Sequence, residues 1–172
     1  MEQMIPYLHP WLGILVVVFA LGAVLPLPAA AEGSGLPLPR FVSLRSDEVN
    51  LRTGPGTQYP VSWIYRRQML PIEILAEYQN WRKIRDWQGD EGWVHKNMLS
   101  GRRSIIVVGD PRSLLSSPDP SGTVLARAEA GVIAQLVGCP NEGPFCRVRI
   151  ESRDGWIERT GFWGTYPGEV VP

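Results

Sequence analysis

Val49-Asn50-Leu51-Arg52-Thr53-Gly54-Pro55-Gly56-Thr57-Gln58-Tyr59-Pro60, followed by Trp81-Arg82-Lys83-Ile84-Arg85-Asp86 and Gly92-Trp93-Val94-His95, decides how this chain folds. Parts of these motifs recur further on at one constant offset: Leu51 as Leu114, Pro55 as Pro118, Val61 as Val124, and Gly92-Trp93-Val94 as Gly155-Trp156-Ile157. Trp81 to Arg85 aligns with Phe145 to Arg149 after a shift of a single residue, which a loop insertion absorbs. The chain therefore holds two copies of one unit. Within the first copy, short apolar stretches (Phe41 to Leu44, Val61 to Tyr65, Ile72 to Ala76, Trp81 to Arg85, Gly92 to His95) alternate with turn formers such as Gln79-Asn80 and Gln88-Gly89-Asp90. That is the pattern of a small barrel or sandwich, so the expected fold class is all-β. A unit of roughly 60 residues has little core of its own, which predicts that the copies pack together.

Local chemistry adds residue-level expectations. Gly54 and Gly56 around Pro55 would let the loop adopt positive φ, and the Arg52 fork would staple it to carbonyls or to Asp86. Gly92 before Trp93 suggests that Trp93, and Trp156 after it, pack inward. On the strand from Ile72 to Ala76, Ile72, Ile74 and Ala76 share one face and Glu73 and Glu77 the other, while Leu75 reads as buried on both sides.

Composition removes several function classes. With 172 residues, 44% hydrophobic content and 17 basic against 17 acidic side chains, the chain is neither disordered nor a nucleic-acid binder driven by bulk charge. With His9 in the N-terminal leader, one histidine and two cysteines remain, too few for a structural zinc site, and neither a metal nor a cofactor is expected. Cys139 and Cys146 flank the turn-forming Pro140 to Phe145, which predicts a disulfide between adjacent strands in an exported chain.

Export is expected because Leu12 to Leu25 is uncharged and is followed by Pro26, Pro28 and Ala29-Ala30-Ala31. This order of hydrophobic run, breaker and small residues gives a signal peptide over 1–31, although residues 1–11 lack the usual Lys or Arg, and an uncleaved anchor is the alternative. Next come a flexible linker at 32–40, a first domain at 41–103, and a second, divergent domain with a C-terminal tail at 104–172. The mature protein would be periplasmic or secreted, with no stable membrane insertion.

The three ordered motifs of the first copy resemble the bacterial SH3-like (SH3b) domain, and the duplication resembles a secreted bacterial family with two such domains in tandem. In the second copy Leu114-Leu115-Ser116-Ser117-Pro118 lacks the asparagine, arginine and glycines of the first motif. The resemblance implies two small SH3-like β-barrels and a peptide groove beside the long loop. The groove candidates are Tyr59, Trp63, Trp81, Trp87 and Arg52, with Tyr59 and Trp87 the more exposed and Trp63 and Trp81 half-buried walls. It also implies docking of the tail residues Trp163 and Tyr166 on a barrel. His95 is read as a surface or strand-end residue, with ligand contact the alternative. The function expected is a non-catalytic envelope module binding peptide or the peptidoglycan stem, with no nucleic-acid partner. A structural or regulatory module with an envelope protein as partner is the alternative. A wall hydrolase stands third, because a papain-like site needs a free thiolate and a base, and His95 is the single histidine after the leader.

Overall fold

The computed structural model describes residues 33–141 and 143–172; the segment read as a leader lies outside them. The first copy has seven strands: β1 (Arg40–Leu44), β2 (Val49–Arg52), β3 (Val61–Tyr65), β4 (Pro71–Tyr78), β5 (Trp81–Arg85), β6 (Glu91–His95) and β7 (Leu99–Ser100). They form one antiparallel sheet in the order β3-β2-β6-β5-β4-β1-β7. The second copy repeats this with β8 (Ser104–Val107), β9 (Arg112–Leu115), β10 (Val124–Ala128), β11 (Ile133–Gly138), β12 (Phe145–Ile150), β13 (Arg153–Glu158) and β14 (Phe162–Trp163). Its order, β10-β9-β13-β12-β11-β8-β14, is the first sheet's order strand for strand. The all-β duplication expected from the sequence is present down to a short 3-10 turn in each copy, Lys96–Met98 and Arg159–Gly161.

Alternation explains which faces are buried. Val42 and Leu44 on β1, Val49 and Leu51 on β2, Ile72 and Ile74 on β4, Ile84 on β5, Val94 on β6 and Leu99 on β7 join one core. One core drawing on strands from both ends of the ladder requires the sheet to curl over itself. On β6 the inward residues are Gly92 and Val94, which leaves Trp93 half-buried on the other face; Trp156 lies likewise beside Gly155 and Ile157. The expectation that these tryptophans pack inward is therefore corrected. Glycine stands there because Leu51 needs the space: a Cβ on Gly92 would lie 2.6 Å from Leu51 Cγ. Leu75 is also corrected. It is half-buried at an irregularity where pairing jumps from Ile74↔Ile84 to Ala76↔Lys83, the extra residue of a bulge.

The copies share a clasp. Phe41 pairs with Glu73 across β1 and β4, and both are buried although they lie on the face opposite the core. The tail covers them: the Phe41 ring meets Trp163 edge-on at 4.8 Å and Tyr166 at 4.8 Å, with the Arg103 guanidinium 5.6 Å above it. The Tyr166 hydroxyl donates to Glu73 Oε1 at 2.8 Å, and Arg85 donates to Oε2 at 2.6 Å. Burial first, then the bond to Glu73, pushes the Tyr166 phenol up. Ile106 of the second copy completes the first core, and Arg67 donates to the Gly131 carbonyl at 2.8 Å.

Residues 33–40, read as a tether, are fastened at Glu77. Its carboxylate accepts from the Ser34 amide and hydroxyl and from Arg40 at 2.5 Å, and forms an ion pair with Arg82 at 3.1 Å. Burial alone would push this carboxyl up; the Ser34 and Arg40 hydrogen bonds and the Arg82 charge outweigh it and bring the pKa down to about 2. A lowered folded pKa gives stability that is complete above the ordinary carboxyl range and is lost as pH falls through about 2. The Ser34 amide resonance is accordingly expected to titrate with a midpoint near 2; a midpoint in the ordinary carboxylate range would contradict the clip.

Cys139 and Cys146 form the expected disulfide, with Cα atoms 4.4 Å apart. It ties the end of β11 to β12, and Cys139 also exchanges two backbone hydrogen bonds with Val171, at 2.8 and 3.0 Å, strapping down the C-terminus. Closing so short a loop contributes about 2–3 kcal/mol in the chain-entropy model. The double variant C139S/C146S is expected to lose that amount in denaturant unfolding; an unchanged midpoint would refute the contribution.

Candidate functional site

A groove of about 230 Å³ lies across β2, β5 and β6 of the first copy, lined by Glu48, Asn50, Arg52, Thr57, Trp81, His95 and Met98. Trp81 and His95 face each other across the β5–β6 pair, rings edge to face at 5.4 Å. His95 Nδ1 accepts from the Asn97 amide at 3.3 Å, so Nε2 carries the proton that a ligand could receive. Arg52 Nη1 donates to the carbonyls of Thr57 at 3.1 Å and Tyr59 at 2.8 Å, holding the loop as one wall. The arrangement offers an indole face, an imidazole donor, a guanidinium and the Asn50 amide. It can stack, donate and accept, as recognition of an extended peptide requires.

The structure separates the sequence-derived residues. Arg52 and Trp81 meet in this groove. Tyr59 and Trp63 lie outside its lining, 41% and 60% exposed, with Trp63 on the edge strand β3 beside exposed Val61 and Ile64. Trp87 packs against the first core. Asp86 does not receive Arg52. It is buried, accepting from the Tyr65 hydroxyl at 3.0 Å and from the amides of Gln88 at 2.9 Å and Asp90 at 3.0 Å. Burial, followed by the Asp86 charge and hydrogen bond, pushes the Tyr65 phenol up. The loop glycines serve packing, since neither Gly54 nor Gly56 has positive φ. A Cβ on Gly54 would strike the Tyr59 ring, and one on Gly56 the Gln58 amide. His95, read as a strand-end residue, closes β6 and lines this groove opposite Trp81.

The second copy has a groove of about 450 Å³ in the equivalent place, with different chemistry. Pro111, Ser113, Leu115, Pro120, Phe145 and Glu158 stand where the first copy has Glu48, Asn50, Arg52, Thr57, Trp81 and His95. The arginine staple and the imidazole are both gone.

Comparison with known proteins agrees with the duplication. A protein of Bacillus subtilis (strain 168) named as an N-acetylmuramoyl-L-alanine amidase, YrvJ, is 25% identical over 126 residues, covering 66% of this chain and 24% of that protein. This chain thus spans about a quarter of that relative's length. The solved structures of NlpC1 and NlpC2 from Trichomonas vaginalis align with TM-scores of 0.35 each, at 16% and 14% identity. They cover 82% and 74% of this chain and 51% and 49% of theirs. The bacterial SH3 domain matches twice, at residues 45–101 and 108–164, one match in each copy and covering all of its strands but the first, and the chain therefore belongs to the bacterial SH3 domain family.

Proposed function

We propose that the protein is a non-catalytic exported module of the bacterial cell envelope that binds a peptide or peptidoglycan-type ligand in the groove of its first copy. The observation that carries this reading is the convergence of Arg52, Trp81, His95 and Asn50 on one cleft, with Arg52 holding the loop that carries exposed Tyr59. The family is one of binding modules, and the named amidase relative supports a wall setting. Binding without cleavage fits the chemistry of the chain, because both cysteines are joined and neither can serve as a thiolate nucleophile. Among the described residues, no helix is long and apolar enough to cross a membrane.

Sedimentation with purified wall polymer tests the reading. The full chain is expected to co-sediment, and Trp81→Ala to weaken retention about tenfold, the loss typical of an aromatic anchor. Arg52 is a poor probe, since its removal would release the loop. Retention unchanged in Trp81→Ala would exclude the groove, and fragments released from the polymer would establish a hydrolase. A second reading, a protein–protein module of the periplasm, is favoured by the edge strand β3, whose Val61, Trp63 and Ile64 are exposed. Crosslinking through β3 to an envelope protein, without polymer retention, would select it.

A further inference from the structure

The two copies share one pairing register, so the paired residues of β2, β3, β5 and β6 have counterparts in the second copy. Val49↔Tyr65, Leu51↔Trp63 and Arg52↔Val61 in the β2–β3 pair become Arg112↔Ala128, Leu114↔Ala126 and Leu115↔Val124 in the β9–β10 pair, with the same irregularity. Tyr65 thus corresponds to Ala128 and Trp63 to Ala126. Likewise Asp86, which follows β5, corresponds to Ile150 at the end of β12, and Trp87 to Glu151.

The first copy fills this corner itself. Tyr65 is 3% exposed, its hydroxyl held by Asp86 at 3.0 Å, and Trp87 packs against the same core. In the second copy the rings and the carboxylate are replaced together, and a partly open cavity of about 340 Å³ remains. Its walls are Leu114, Ala126, Ala128, Val132 and Ile150; its rim carries Arg127, Arg153 and Glu151. Neither arginine forms an ion pair among the described residues, whereas the neighbouring Arg147 and Arg149 are both engaged by Asp154. An apolar hollow shaped where a tyrosine and a tryptophan pack in the sister copy has the form of a socket for an aromatic ring. The two free guanidinium groups give its mouth a positive balance.

We propose that this cavity receives an aromatic side chain from an acidic segment of a partner protein. The site lies in the other copy from the groove described above and has its own ligand class, so either can fail without the other.

The test uses the full chain and a blocked pentapeptide with one tryptophan between two pairs of aspartates, followed by NMR at the alanine methyls. Saturable shifts at Ala126 and Ala128 are expected, with the lysine-flanked version of the peptide at least about fivefold weaker. Two variants guard the result. A128Y/I150D rebuilds the first copy's tyrosine–aspartate pair inside the hollow and is expected to abolish binding. R127E/R153E changes only exposed side chains and is expected to reverse the preference towards the lysine peptide. Polymer retention by the first groove should be unchanged in both. No shift at about 10 mM peptide, equal binding of the two peptides, or undiminished binding by A128Y/I150D would overturn the proposal. Indole-3-acetate binding as tightly as the peptide would also overturn it, since the ligand would then be a free small molecule.

Discussion

Replacing Glu73 with alanine is expected to lower stability by about 2–3 kcal/mol and Tm by roughly 5–10 °C. The carboxylate is buried, and three donors converge on it: Arg85 Nε at 3.0 Å, Arg85 Nη2 at 2.6 Å and the Tyr166 hydroxyl at 2.8 Å. Its loss leaves the half-buried Tyr166 hydroxyl without its acceptor, whereas Arg85, 46% exposed, can turn to water. That escape puts the cost below that of breaking a fully buried pair. Because Tyr166 belongs to the second copy's tail, the same substitution loosens the seam between copies. A cycle of E73A with Y166F should give a coupling of about 1 kcal/mol. Additive single effects, or a change within about 0.5 kcal/mol for E73A, would mean that the clasp rests on the aromatic rings alone.

Gly92→Ala is expected to cost about 3 kcal/mol despite adding a single methyl group. The new Cβ would lie 2.6 Å from Leu51 Cγ and 2.9 Å from the Arg52 carbonyl oxygen. Leucine can change rotamer, but a backbone carbonyl in a paired strand cannot move aside. The clash would push β2 off β6 where they meet at Arg52↔Trp93, moving the arginine that holds the groove wall. Ligand binding should therefore weaken in step with stability. The duplication supplies a control: at Gly155 the corresponding distances are 2.5 Å to Leu114 Cγ and 3.0 Å to the Leu115 oxygen. Gly155→Ala should cost a similar amount and leave first-groove binding intact. Equal stability of G92A and the parent in guanidinium unfolding would refute the steric account.

What the sequence made readable was local and periodic. Strands β3 and β5 appear within the limits that the apolar runs suggested, and the repeat placed the second copy's strands in the same order. The disulfide followed from two cysteines about a turn, and the docking of Trp163 and Tyr166 from aromatics in a short tail. Three features lay beyond it for reasons of long range or register. Glycine before tryptophan was taken as room for the ring, but glycine was needed on the opposite face, where Leu51 arrives from β2. A bulge at Leu75 shifts the pairing of β4 with β5, which no alternation pattern announces. Glu73 and Glu77 read only as the face opposite Ile72 and Ile74; that the tail covers one and the segment before β1 the other lies in no local pattern. Within the groove, Arg52 was legible as a staple because its partners lie five and seven residues away. The place of His95 in the lining was not, since it depends on standing opposite Trp81 across the β5–β6 pair.

The central claim is that the first copy's cleft holds a wall peptide and leaves it whole. Its most direct measurement is an NMR titration of the full chain with a soluble disaccharide-peptide cut from wall polymer, followed by chromatography of the recovered ligand. The Trp81 indole and His95 ring resonances are expected to shift and saturate, Trp156 should stay still, and the ligand should return intact. Saturating ligand with no movement at Trp81 and His95, or a ligand recovered in pieces, would contradict the account.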